Sequence, residues 1–186
     1  NYESAATLTG CKFENNTATE DGGGMYSWYS SPTLTGCTFE NNTASISGGG
    51  MVNDNYSNPT LNTCTFTSNS ADEHGGGMFN ENSNPTLNTC AFENNNANAG
   101  GGMVNYDGSY SVLTTCAFTS NSADEHGGGM YNNESDATLT GCTFEINTAF
   151  DGGGMYNGDS SPTLINCEFE NNTAANDGGG MYNDTN

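Results

Sequence analysis

One short apolar pattern returns seven times along the chain: Leu-x-x-Cys-x-Phe, first at Leu8, Cys11 and Phe13 and last at Leu164, Cys167 and Phe169. The steps between successive cysteines are 26, 27, 26, 26, 26 and 25 residues. Asn follows each Phe by three positions and Ala by five, and a Gly-Gly-Gly-Met block closes every unit. A representative unit runs Leu34, Cys37, Phe39, Asn42, Ala44 and Met51. Self-similarity with a period of about 20 to 50 residues marks stacked units, none of which can bury its apolar face alone.

The unit is a coil of strands and not a helical hairpin. Cys-x-Phe alternates with period two in a setting rich in Thr, Phe and Tyr, and Leu-x-x-Cys-x-Phe is too short for an amphipathic helix. Glycine triplets and Asn-rich turns exclude helices of useful length. Each unit is therefore read as one turn of an all-β parallel β-helix, with short strands at 33–35, 37–39 and 50–53. Residues 1–186 are expected to form a single seven-coil array of about 26 residues per coil.

The seven copies also predict which side chains point inward. The invariant Leu34, Cys37, Phe39, Asn42, Ala44 and Met51 and their equivalents should line the core, each stacked on its own kind about 4.8 Å away. The fixed Asn is costly to bury unless paired, so an asparagine ladder is expected. The residues after Met vary, and Tyr26, Val52, Phe79, Val104, Tyr131, Tyr156 and Tyr182 are expected to face water. Insertions fall just before the Gly triplet and between Met-x-Asn and the next Leu, which are read as loops.

Phe39-Glu-Asn-Asn42, with Gly48-Gly-Gly-Met-Val52, resembles the paired repeat motifs of the polymorphic outer-membrane proteins of chlamydial surfaces. More broadly it is similar to the right-handed parallel β-helix repeats of secreted bacterial surface proteins and autotransporter passengers. The glycine motif departs from the family, having Gly then Met where the family has Ala then an aliphatic residue. The resemblance implies a right-handed coil, surface display and adhesion, and assigns the repeated residues to scaffold.

Charge narrows the partners. Twenty-two acidic residues stand against a single Lys or Arg, Lys12, for a net charge of -21. Nucleic acid and anionic membranes are poor partners for such a surface. No run reaches the roughly 18 apolar residues of a membrane span, so insertion by this segment is not expected. The segments before the Gly triplets place Asp21, Asp72, Glu73, Asp124, Glu125, Asp151 and Asp177 along one edge, a weak candidate site for Ca²⁺, the one cofactor considered. His74 and His126 lie in near-identical segments two coils apart and are read as exposed copies of one loop. Seven cysteines cannot all pair within the chain and no Cys-x-x-Cys is present, so they are read as buried thiols.

Two outward surfaces remain. Tyr26, Trp28, Tyr29, Phe79, Tyr131, Tyr156 and Tyr182 form an aromatic file suited to glycans, a host surface or lateral packing against a second copy. Thr7, Thr33, Thr60, Thr86, Thr138 and Thr163 form a second file, accompanied in part by Thr9, Thr35, Thr114 and Thr140, that resembles ice-binding solenoids. Clustered acids also serve some polysaccharide-processing β-helix enzymes, but here the acids occupy repeat or loop positions and no basic substrate clamp accompanies them, so no enzyme is expected. The chain starts and stops in the same loop phase, at Asn1 to Ser4 and Asn183 to Asn186, which is read as a segment of a longer array or a subunit stacking head to tail. The sequence thus reads as an extracellular or cell-surface structural solenoid serving as adhesin, spacer or fibre subunit, with ice binding and polysaccharide processing as alternatives.

Overall fold

The computed structural model describes residues 4–184, so the extreme ends that bear on the loop-phase argument lie outside the described residues. Four corners divide every coil into four strands. In the second coil these are Thr33–Thr35, Thr38–Glu40, Thr43–Ala44 and Met51–Asp54. Equivalent strands stack into four parallel seven-stranded sheets, named here the Leu, Phe, Ala and Met sheets. The expected three-strand coil is corrected to four. The Thr43–Ala44 strand is only two residues long, too short to show a periodicity, and the second and fourth strands begin one residue later than expected.

Left-handed residues make the corners. Gly36 (φ 60°), Asn41 (φ 55°), Gly48 (φ 64°) and Asn55 (φ 50°) each turn the second coil from one strand toward the next. Gly and Asn suit this region because it crowds a Cβ. Gly48 also lies against the next strand, where an added Cβ would strike the Val52 methyl.

Register is one to one through the core columns. Leu34 pairs with Leu8 and Leu61, Phe39 with Phe13 and Phe66, and Met51 with Met25 and Met78. The Phe rings stack at 4.6 to 4.7 Å with interplanar angles of 2 to 4°. Isolated aromatic pairs avoid a face-to-face sandwich, so this stacking is imposed by the strand spacing. The one described irregularity, a register shift between Ala97 and Ala99, falls where the fourth coil has a shorter loop than the fifth.

The asparagine ladder is present. Asn95 Nδ2 donates to Asn121 Oδ1 at 2.9 Å and to the Phe66 carbonyl at 2.9 Å, while its Oδ1 accepts from the Asn69 amide side chain and backbone N–H. Two further polar ladders escaped the sequence reading. Asn53, Asn80, Asn105, Asn132, Asn157 and Asn183 bond side chain to side chain inside the Met sheet. Serines 30, 57, 83, 109, 135 and 160 accept one another's backbone N–H through Oγ, within the stretch read as loop. Buried polar groups are satisfied this way by repetition alone.

All seven cysteines are free thiols, buried in the five inner coils and half-buried at Cys11 and Cys167. Burial pushes the Cys37 thiol up. Contact with the Cys116 sulfur, reinforced by burial, pushes Cys90 and Cys142 up as well, which keeps both protonated.

Candidate functional site

The edge between the Met sheet and the loops before the Gly triplets gathers most of the aromatic and acidic residues singled out from sequence. Its facing corrects the expectation. Met51 is buried as expected, yet Val52, Phe79, Val104 and Tyr156 are buried too, and Tyr26, Tyr131 and Tyr182 are half-buried. The residues after Met form a second, smaller apolar column, with Val52, Phe79 and Val104 at its centre and Tyr26 and Tyr131 packed against it. The preceding loops fold over this column, an intracoil contact that variability between copies cannot reveal.

His74 and His126 belong to the same covering layer and are not freely exposed. The His74 ring lies 5.9 Å from Phe79 and 6.4 Å from Tyr106, and His126 lies 4.3 Å from Tyr156 and 5.9 Å from Tyr131. Burial holds His74 below the ordinary imidazole range. Trp28 and Tyr29 do reach solvent, at 39% and 48% exposure, and with Tyr26 and the still more exposed Tyr56 they form a chain of rings spaced 6.2 to 6.3 Å apart. Of the expected aromatic file, this first stretch is the most open.

The acids do not converge. Asp72 and Glu73 are separated from Asp124 and Glu125 by a coil whose loop carries Asn98 and Ala99. Among the described residues no three His, Cys, Asp or Glu side chains come together as a metal site requires. Two of the seven candidates have a scaffold task instead: Asp21 Oδ1 accepts the Ser47 N–H and Asp151 Oδ1 accepts the Asp177 N–H, each at 2.9 Å, tying one loop to the next. Asp54 and Glu81, which the sequence reading passed over, stand side by side in register at the solvent end of the Met sheet. Burial raises the Glu81 carboxyl, and the charges of Asp54 and Asp107 add to the rise.

At the first coil Glu20, Asp21, Tyr26 and Trp28 line a cleft of about 340 Å³. The Tyr26 hydroxyl donates to Asp54 Oδ2 at 2.8 Å, which fixes one aromatic wall. Burial raises the Asp21 carboxyl despite the Ser47 hydrogen bond, and neighbouring Glu20, Asp54 and Glu73 push it further up. Lys12, the chain's one Lys or Arg, is engaged on the Phe sheet by Glu14 and Glu40 at 3.1 and 2.8 Å.

Residues 2–144 match the family model of the right-handed β-helix region, so the chain belongs to the right-handed β-helix family. Residues 166–183 match the repeat of the Chlamydia polymorphic membrane proteins, in agreement with the motif resemblance drawn from Phe-x-x-Asn and the Gly-rich block. Together these matches point to a surface-exposed bacterial β-solenoid. Among curated proteins and solved structures none matches the chain. Among the described residues no helix is long and apolar enough to cross a membrane.

Proposed function

We propose that the chain is a non-catalytic surface rod that displays an adhesive aromatic and acidic edge. The observation that carries the reading is the division of labour within each coil: Leu, Cys, Phe, Asn, Ala and Met repeat without change in the core, while every difference in length between coils falls in the loops that flank the Met sheet. Residues spent on scaffold in every coil leave chemistry to the edge, and its exposed rings at Trp28, Tyr29 and Tyr56 suit a contact surface. Because every coil carries the same Leu, Cys, Phe and Met columns, a coil of one copy suits a coil of another as a stacking partner, and end-to-end association of copies belongs to the proposal.

Beads coated with the purified chain test the proposal when offered to a glycan array and to cultured cells. Retention that disappears when the coating is unfolded supports adhesion. Absence of retention on every surface, combined with release of reducing ends from a polysaccharide panel, overturns it in favour of an enzyme. Sedimentation at rising concentration tests the association of copies.

A second reading has its own observation. Thr7, Thr33, Thr60 and Thr86 stack in register on the Leu sheet, where Val112 interrupts the file before Thr138 and Thr163 resume it. A regular, uncharged file of hydroxyls and methyls is what an ice surface would meet. Thermal hysteresis in the purified protein tests that reading directly.

A further inference from the structure

The cleft on the first coil combines two features: an aromatic wall made by half-buried Tyr26 and exposed Trp28, and carboxylates beside which no Lys or Arg stands, since Lys12 is engaged on the Phe sheet. Tyr26 and Trp28 stand 6.3 Å apart at 39° and form the walls, and Glu20 and Asp21 supply the charge. Tyr26 is held in place by Asp54, and Asp21 by the Ser47 N–H, so both sides of the cleft are set before any ligand arrives. We propose that this cleft binds an organic ammonium cation, a quaternary or alkyl-substituted nitrogen seated on the exposed Trp28 ring beside Tyr26 and facing Glu20 and Asp21.

Three classes of ligand compete for such a site, and the chemistry separates them. A divalent metal ion such as Ca²⁺ needs about six to eight oxygen ligands, whereas rings form half of this lining. A neutral sugar would stack on Trp28 but leave the half-buried Asp21 carboxylate, with Glu20 beside it, without a countercharge. An ammonium ion carrying alkyl groups answers both surfaces at once, since its methyl faces attract the ring quadrupole and its charge attracts the acids. The net charge of -21 further concentrates cations at the surface. The site holds whether or not the rod is adhesive.

Trp28 is the chain's single tryptophan, so its emission reports on this cleft alone. In the full chain, choline should change that emission along a saturable curve in the millimolar range. Its neutral isostere 3,3-dimethylbutan-1-ol should bind about tenfold more weakly, because the cation–π and carboxylate attractions are lost. Asp21→Asn retains an oxygen to accept the Ser47 N–H while removing the charge, and should weaken choline binding about threefold to tenfold. Trp28→Ala, followed by calorimetry with folding checked by circular dichroism, should abolish binding. Equal binding of choline and its neutral isostere would overturn the proposal. So would an unsaturable response, glucose binding as tightly as choline, or Ca²⁺ producing the same emission change at lower concentration than choline.

Discussion

The Tyr26 hydroxyl reaches across one coil step to donate to the Asp54 carboxylate at 2.8 Å, and Tyr156 repeats the bond to Asp184 at 3.0 Å. A residue directly after Met thereby fastens its coil to the strand end of the following one. Burial, with the Asp54 hydrogen bond second, raises the Tyr26 phenol above its ordinary value of 10.0. A raised acid stabilises the fold below its unfolded pKa and loses that contribution as pH climbs through the folded one. Tyr26→Phe should therefore cost about 1 kcal/mol at neutral pH, allowing for solvent at the partly exposed pair. The difference from the parent should shrink in urea titrations run above pH 10.

Asp21 and Glu81 predict an unusual acid response. Both carboxyls are raised above their ordinary values of 3.8 and 4.5, chiefly by burial. In the window from those values upward the folded state binds more protons than the unfolded one, so stability falls as pH rises and recovers on mild acidification. Melting temperature should accordingly rise from pH 7 toward pH 4.5, and Asp21→Asn with Glu81→Gln should flatten that slope. Because neighbouring acids add to both shifts, raising the salt at pH 7 should also stabilise the parent.

The Met-sheet amide ladder ends one coil early. Ser27 stands where every later coil has Asn, and among the described residues the buried Ser27 Oγ and Asn53 Oδ1 have no hydrogen-bond partner. Ser27→Asn should supply the missing donor and stabilise the protein by about 1 kcal/mol. Asn95→Ala in the other ladder strips partners from Asn69, Asn121 and the Phe66 carbonyl together. A loss of about 3 kcal/mol is expected, read from the midpoint of urea unfolding.

Glycine positions divide into two kinds. A Cβ at Gly76 would strike the Asn96 carbonyl oxygen and sit 2.6 Å from that of Gly101, both backbone atoms that cannot step aside. Gly76→Ala should cost about 3 kcal/mol or more, at the severe end for a single substitution. Thr89 holds a left-handed φ of 54° at a corner where the second coil uses Gly36. Thr89→Gly removes the strain of a branched residue there and should stabilise by about 1 kcal/mol in the same titration.

How much was legible follows from which contacts repeat. Leu34, Cys37, Phe39, Asn42 and Met51 face partners of their own type, so comparison of the seven copies was enough to place them inside. Val52 and Phe79 pack instead beneath loops that differ from coil to coil, and variation there looked like exposure. The serine column through Ser57 hid for the opposite reason: Ser is ordinary in a loop, and only the backbone shows that each Oγ meets the preceding coil's N–H. The cleft at Glu20, Asp21, Tyr26 and Trp28 joins a loop to a strand end several positions away, a proximity that no spacing rule announces.

The identity of the coil-to-coil contact has a consequence at the level of the gene. Residues 63–78 and 115–130 differ only at Thr65 and Ala117, and the junctions above and below each coil are built from the same Phe stack, amide ladders and glycine backbone. Unequal recombination that inserts or deletes a whole repeat would create no new kind of junction, whereas an exchange out of phase would oppose Phe to Asn or Gly to Met and fail to fold. Natural variants should thus differ in length by quanta of one coil, and the number of coils becomes a heritable ruler for how far the rod extends.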